Sequence, residues 1–457
     1  MDQVLDQKIT AFLNAHKEEM AQQLAELVRI PSQTEAAEPG APFGAPLRRI
    51  LDEVLALCAA QGMAVRDFDG YCGDATWGDD QNGAVATLSH LDVVPAGEGW
   101  TMPPFCGDIH DGKVWGRGSN DNKASVVSVL YAVMALQEAG FTPKRAIRMI
   151  VGCDEESGMA DMAHYVSVAR PPEMAFSPDA GFPVTHAEKC IMSGRVYAAF
   201  TGPTAVLSLK GGTRVNVVPN LAHAEVTLPA DTLPRAQDIA VEATPQGARI
   251  TATGTAAHAA WAQEGVNAIG RLMAYLHLIL PEGDGARAAV DFYCQHIGMA
   301  SDGAGLGIAC QDEISGALTH NIGVLHGNGE AVELGFDIRH PVTLDPDACV
   351  KKLTQTWKGG GFDLADLSVS PALYVPVDHP LVATLMGVYQ ELTGDMTPPQ
   401  VMGGGTYART LPCAVAFGPG MPGTSANAHM ADEWVTVDSL VDSARIFAHA
   451  LARLSWV

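Results

Sequence analysis

Positive charge is scarce in this sequence. Its 457 residues carry 28 Lys and Arg against 52 Asp and Glu, a formal net charge of -24. That balance argues against nucleic-acid or anionic-membrane partners, which select basic patches. Apolar runs of the roughly 18 residues that a membrane span needs are missing. The polar, amphipathic residues 1–17 do not resemble a signal peptide. Paired cysteines are missing too: the nine cysteines are scattered, and none has Cys-x-x-Cys spacing. An odd, dispersed set without an export signal predicts reduced thiols and a cytoplasmic protein. No Walker-type loop is present, and basic phosphate contacts are few, so phosphoryl chemistry is disfavoured.

What is present is an ordinary globular composition, 47% hydrophobic and 18% charged, in a chain long enough for two or three domains. Helical apolar spacing covers residues 4–30, 46–60 and 123–139, and strands are expected at 83–91, 145–152 and 173–177. Alternation of this kind predicts an α/β domain, a mostly parallel sheet flanked by helices. After Cys190 the character changes. Residues 191–202, 204–211, 222–228 and 249–255 read as alternating strands, 265–280 as a helix, 332–339 as a strand, 345–357 as a helix and 366–371 as a strand. Helix and strand alternation returns at 381–393, 415–417 and 437–454. The expected organisation is a catalytic domain (1–190 and 376–457) interrupted by an inserted α+β lid domain (191–375), whose halves share a similar order of elements but too little sequence identity to be a repeat.

Three clusters of hard donors stand at the ends of expected strands: Ser89-His90-Leu91-Asp92, Asn120-Asp121-Asn122-Lys123 and Asp154-Glu155-Glu156-Ser157. Open α/β sheets bind ligands at such strand ends. His90 and Asp92 share one face of an extended segment, so Asp92 can accept one ring N–H of His90 and leave the other nitrogen for a metal. Asp121 is placed to bridge two cations or to cap a helix. Glu155 and Glu156 point in different directions, so one can ligate while the other takes a proton. Asp179 ends a further strand, and His429 offers a second imidazole. Cys153 is a poor nucleophile, because the neighbouring acids raise a thiol's pKa.

Taken together, SHLDVVPAGEGW, GRGSNDNK, VGCDEESG, FSPDAGFP, GTAAHAAWAQEGVNAI, DIRHP, GGGTYAR and ANAHMADEW resemble the motifs of the di-metal aminoacylase and carboxypeptidase clan, which includes carnosinase. GEGW and GGGTYAR are most similar to its bacterial peptidase V branch. The resemblance implies that Asp121 bridges two metals, with His90 and Asp179 on one and Glu156 and His429 on the other. It implies that Glu155 is the general base and that Asp92 clamps His90. His258 would reach from the lid to polarise the scissile carbonyl, with Asn216 and Arg339 as further substrate contacts. Gly404, Gly405 and Thr406 would hold the substrate carboxylate. It also implies a cis peptide after Asp121.

Two positions depart from the family pattern: Asn122, where a second acid is usual, and Ala124, where Gly is usual. They put substrate preference in doubt more than metal binding. The expected protein is a monomeric dipeptidase acting on small peptides with a free carboxylate, using two divalent cations. Zinc suits the His and carboxylate mixture, and manganese fits nearly as well. An amidohydrolase that removes N-acyl groups from amino acids would have the same metal site. A non-catalytic metal-binding relative would not need Glu155. Hinges are expected near residues 190 and 375.

Overall fold

The computed structural model describes residues 2–424 and 427–457. The chain forms two compact units. One comprises Met1–His186, Val375–Gln400 and Gly405–Val457; the other comprises Ala187–Tyr374 and Val401–Gly404.

The first unit is built on a sheet with the strand order Ala64–Phe68, Cys72–Trp77, Ala146–Gly152, Ala84–His90, Met174–Ser177, Ala414–Phe417 and Val184–Glu188. Its four central strands run parallel, and the flanking pairs are antiparallel. Every residue of Ala84–His90 and Ala146–Gly152 is buried, as expected of strands covered on both faces. Adjacent residues of Cys72–Trp77 show that cover. Gly73 leaves room for Leu55 of the helix Ala45–Ala60. Asp74, on the opposite face, accepts the Tyr165 hydroxyl of the helix Ala160–Val168 at 3.1 Å. Phe176, Phe182, Phe417 and Phe447 pack edge to face or tilted in the core.

The second unit is one eight-stranded antiparallel sheet. Its order is Ile239–Thr244, Gly247–Thr253, Leu221–Val226, Val206–Gly211, Thr319–Asn328, Ala331–His340, Cys190–Ala199 and Asp363–Ser370. Alternating burial along Cys190–Ala199 marks one covered and one solvated face. Trp357 of the helix Pro346–Gly359 packs against Phe292 and Phe362 in this unit's core. Val206–Gly211 pairs with Thr319–Asn328 at the middle of the sheet, and Cys190–Ala199 crosses over to lie between Ala331–His340 and Asp363–Ser370. A short ribbon pairs Val217–Val218 with Ala257–His258.

Several elements differ from the sequence pattern. The first helical stretch is two helices, Gln3–Ala15 and Lys17–Val28, parted at His16, whose ring bonds back to the Phe12 carbonyl. The stretch 265–280 begins as a helix only at Ala268. Asn267 caps it, accepting the N–H groups of Ile269 and Gly270, and a 3-10 turn, Ala259–Glu264, precedes it.

Candidate metal centre

Parallel strands deliver the first donors. His90 is the last residue of Ala84–His90, the Glu155-Glu156 turn follows Ala146–Gly152, and Asp179 follows Met174–Ser177. The side chains of His90, Asp121, Glu155, Glu156 and Asp179 converge in two overlapping groups. His90 Nδ1 bonds to the Asp92 main-chain oxygen at 2.9 Å, which puts the ring proton on Nδ1. Nε2 is then directed at Asp121 Oδ1, 2.9 Å away, and at Asp179 Oδ1, 3.7 Å away. His429 Nε2 lies 2.9 Å from both Asp121 Oδ2 and Glu156 Oε1. Each oxygen of Asp121 therefore faces a different imidazole. The Asp121–Asn122 peptide is cis. Ala426, the first residue of the motif around His429, lies outside the described residues.

The Asp92 carboxylate faces His90 Nδ1 at 3.4 Å and has a second use beside it. It accepts the main-chain N–H groups of Glu155 at 3.1 Å and Glu156 at 3.0 Å. The main-chain oxygen of Asp92 holds the imidazole, and its carboxylate holds the turn carrying the paired glutamates. Asn122 donates from Nδ2 to the Pro178 carbonyl at 2.7 Å and to Asp179 Oδ1 at 2.9 Å. An amide can make both contacts and an ionised acid cannot, so Asn122 ties the Asp121 loop to the Asp179 loop. Ala124 is buried in the core.

Two buried acids escaped the sequence reading. Glu433 accepts the N–H groups of Gly118, Asn120 and Asp121 through Oε1, at 2.9 to 3.1 Å, and pairs with Arg117 through Oε2. It cradles the loop bearing Asp121. Asp161 accepts the N–H groups of Cys153 at 2.6 Å and Asp154 at 2.9 Å, and Tyr407 donates its hydroxyl to it. Glu433 stands within a quoted motif, and Asp161 close behind the glutamates. Nothing in their spacing reveals which main-chain groups they meet.

Electrostatics fit a cation site. Burial, with the neighbouring charges of Asp179 and Glu156, pushes Glu155 well above the usual carboxylate range. Burial lifts Asp179 to about 6, and the Asp121 charge adds to it. Hydrogen bonds that His429 donates to Asp121 and Glu156 raise its pKa to about 10. Four carboxylates thus crowd two imidazoles, an excess of negative charge that divalent cations would offset. Oxygen and imidazole donors suit zinc or manganese. The Glu155 carboxylate makes no hydrogen bond among the described residues. Burial holds the Cys153 thiol far above its ordinary value, which removes it as a nucleophile.

In the second unit, the Asn216 carbonyl accepts the Ala259 N–H at 2.9 Å. His258 Nδ1 accepts the Ala260 N–H at 3.2 Å, so its proton sits on Nε2. Desolvation and the Arg339 charge keep its pKa below that of free imidazole. Arg339 grips Asp337 through Nε and Nη2 at 2.7 and 2.9 Å, and donates from Nη1 to the Gly403 carbonyl at 2.7 Å. Gly404 belongs to this unit; Gly405 and Thr406 belong to the first. A Cβ on Gly405 would strike the Arg409 guanidinium at 2.2 Å. Thr406 Oγ1 accepts the Ala408 N–H at 3.1 Å.

Residues 86–453 match the model of peptidase family M20/M25/M40, whose members are metal-dependent. The chain is 34% identical over 458 residues to "Putative dipeptidase YtjP" of Bacillus subtilis (strain 168), covering 96% of this chain and 98% of that protein. It is 31% identical to a protein of Staphylococcus epidermidis with a similar description, covering 96% and 97% of the two chains. Human carnosine dipeptidase 1 shares the fold, with a TM-score of 0.59 at 15% identity over 99% of this chain and 100% of that one. The aminoacylhistidine dipeptidase of Vibrio alginolyticus does so too, with a TM-score of 0.59 at 15% identity over 96% of each. No helix among the described residues is long and apolar enough to cross a membrane. By the length of that match and the identity to these relatives, the chain belongs to peptidase family M20/M25/M40 and is a hydrolase.

Proposed function

We propose that the protein is a di-metal dipeptidase that cleaves short peptides with a free C-terminal carboxylate. The observation that carries this reading is the placing of Asp121. Its two oxygens face His90 and His429 at 2.9 Å each, with Glu155 in the same cluster and its carboxylate unbonded among the described residues. His90 and Asp179 would hold one cation, Glu156 and His429 the other, and Asp121 both. Bound cations would polarise the scissile carbonyl and acidify water. Zinc is the first choice and manganese the second.

The protein's own groups do the rest. Glu155, its pKa raised by burial, takes a proton from the attacking water and passes it to the leaving amine. His258 donates its Nε2 proton as a hydrogen bond to the carbonyl oxygen while charge builds there. Asn216 and Arg339 add substrate contacts. Gly404, Gly405 and Thr406 supply main-chain and hydroxyl donors for the terminal carboxylate. Catalysis in this form requires the inserted unit to close on substrate, with hinges near residues 190 and 375. The nine cysteines are free, as reduced thiols of a cytoplasmic enzyme would be, and the form we propose is a monomer.

A dipeptide panel, assayed on chelator-stripped protein with zinc or manganese added back, tests the proposal. Restored cleavage of dipeptides is expected, with N-acetyl amino acids left intact. The opposite preference would assign the N-acyl amidohydrolase activity instead.

A further inference from the structure

Asn216 and His258 are short of support from regular structure. Asn216 directly precedes, and His258 lies in, the two-residue ribbon that pairs Val217 with His258 and Val218 with Ala257. Such a ribbon is not stable alone. Its anchor is a side chain of a central strand. Asn321, in Thr319–Asn328, is 3% exposed. It donates from Nδ2 to the Val215 carbonyl at 2.8 Å and to the Val217 carbonyl at 3.0 Å. Both hydrogens of one amide thus go to the two carbonyls that flank Asn216.

The direction of that amide is fixed in turn. Asn321 Oδ1 accepts Asn267 Nδ2 at 3.1 Å, and the same Nδ2 donates to the Ile322 carbonyl at 2.8 Å. Asn267 Oδ1 is occupied as the cap of the helix Ala268–Ile279, so neither amide can turn over without setting acceptor against acceptor. Two residues further along the strand, a Cβ on Gly323 would meet the Arg214 and Val215 carbonyl oxygens at 2.4 Å each. The segment before Asn216 therefore lies directly on the strand's backbone, with the Asn321 amide as its polar fastening. On the other side, the Asn216 carbonyl holds the Ala259 N–H at 2.9 Å, next to His258.

We propose that Asn321, oriented by Asn267, is a positioning residue that sets Asn216 and His258 for catalysis through the Val215 and Val217 carbonyls. This rests on the dipeptidase reading for the roles of Asn216 and His258, but the clamp itself does not. Two donors and one acceptor within that reach are an asparagine's property. Aspartate would set a charge against two carbonyl oxygens.

The test uses the metal-loaded full chain and the variants Asn321→Ala, Asn267→Ser, His258→Ala and His258→Ala/Asn321→Ala. Serine still caps a helix but cannot reach Asn321, so Asn267→Ser answers even if Asn321→Ala folds poorly. For Asn321→Ala the expected result is a fall in kcat of about 10- to 100-fold, with KM and metal content little changed. Asn267→Ser should show a smaller fall of the same kind. The double variant should be no slower than His258→Ala, since groups acting as one unit are not additive. Amide hydrogen exchange should speed up at residues 215–218 and 257–260 in both asparagine variants. Unchanged exchange there, or an additive loss in the double variant, would overturn the proposal. Absence of dipeptide cleavage by the unaltered protein would instead sink the dipeptidase reading, and the exchange data would still decide the clamp.

Discussion

Tyr407 donates its hydroxyl to the Asp161 carboxylate, and Asp161 holds the Cys153 and Asp154 N–H groups directly before Glu155. The turn that carries Glu155, the proposed general base, is thus seated on a buried acid and phenol, both fully or almost fully excluded from solvent. Tyr407→Phe removes one donor from a carboxylate whose other partners cannot compensate. Burial lifts Asp161 to about 7, and loss of a hydrogen bond to such a buried group costs roughly 1–2 kcal/mol. Denaturant unfolding should register that loss, and turnover should fall about tenfold with metal content intact.

Glu155→Ala separates base from ligand. Both cations should remain bound, while turnover drops by on the order of 10²–10⁴, the scale of general-base catalysis. Metal analysis beside steady-state kinetics checks this. Loss of a cation along with activity would exchange the roles of Glu155 and Glu156.

Glu433→Ala strands Arg117 in the core and releases three main-chain N–H groups around Asp121. Breaking a buried pair by removing one partner costs roughly 3–5 kcal/mol. The unfolding midpoint should fall accordingly, and metal affinity should weaken, as read by chelator competition.

His320 gives a pH dependence of known sign. Burial lowers its pKa from 6.5 to about 4. Below pH 6.5 the unfolded chain binds a proton that the folded chain refuses, so stability falls as pH drops from 6.5 towards 4 and levels off beneath. The full effect is roughly 3 kcal/mol. His320→Phe removes it. The difference in unfolding free energy between variant and parent should therefore change across pH 4 to 6.5 in the variant's favour and stay constant above pH 7.5. A difference flat across that window would refute the assignment.

Much of the frame was legible from pattern. Strands with a mostly apolar run, such as Ala84–His90, announce themselves, and the terminal helix Val437–Leu454 begins and ends where its apolar spacing does. Thr319–Asn328 escaped because His320 and Asn321 are buried polar residues in it, which breaks any alternation of apolar and polar. Asp92, Asp161 and Glu433 present a related difficulty. Their partners are main-chain N–H groups, and a main chain carries no residue identity for a motif to match. The donors His90, Asp121, Glu155, Glu156, Asp179 and His429 are different, since a cation site selects residue types as well as positions.

Strand Ala414–Phe417 lies between Met174–Ser177 and Val184–Glu188, and Glu433 supports a loop 312 residues earlier in the chain. Both contributions come from segments more than 200 residues later in the sequence than the parts they complete. On the ribosome, the first 186 residues emerge with a gap in their sheet and without the Glu433 cradle. The inserted unit, whose strands come almost entirely from one continuous stretch, can fold while they wait. A nascent chain is therefore without a finished candidate site until the segment from Ala414 to Glu433 has been made, long after the His90 and Asp121 segments have emerged.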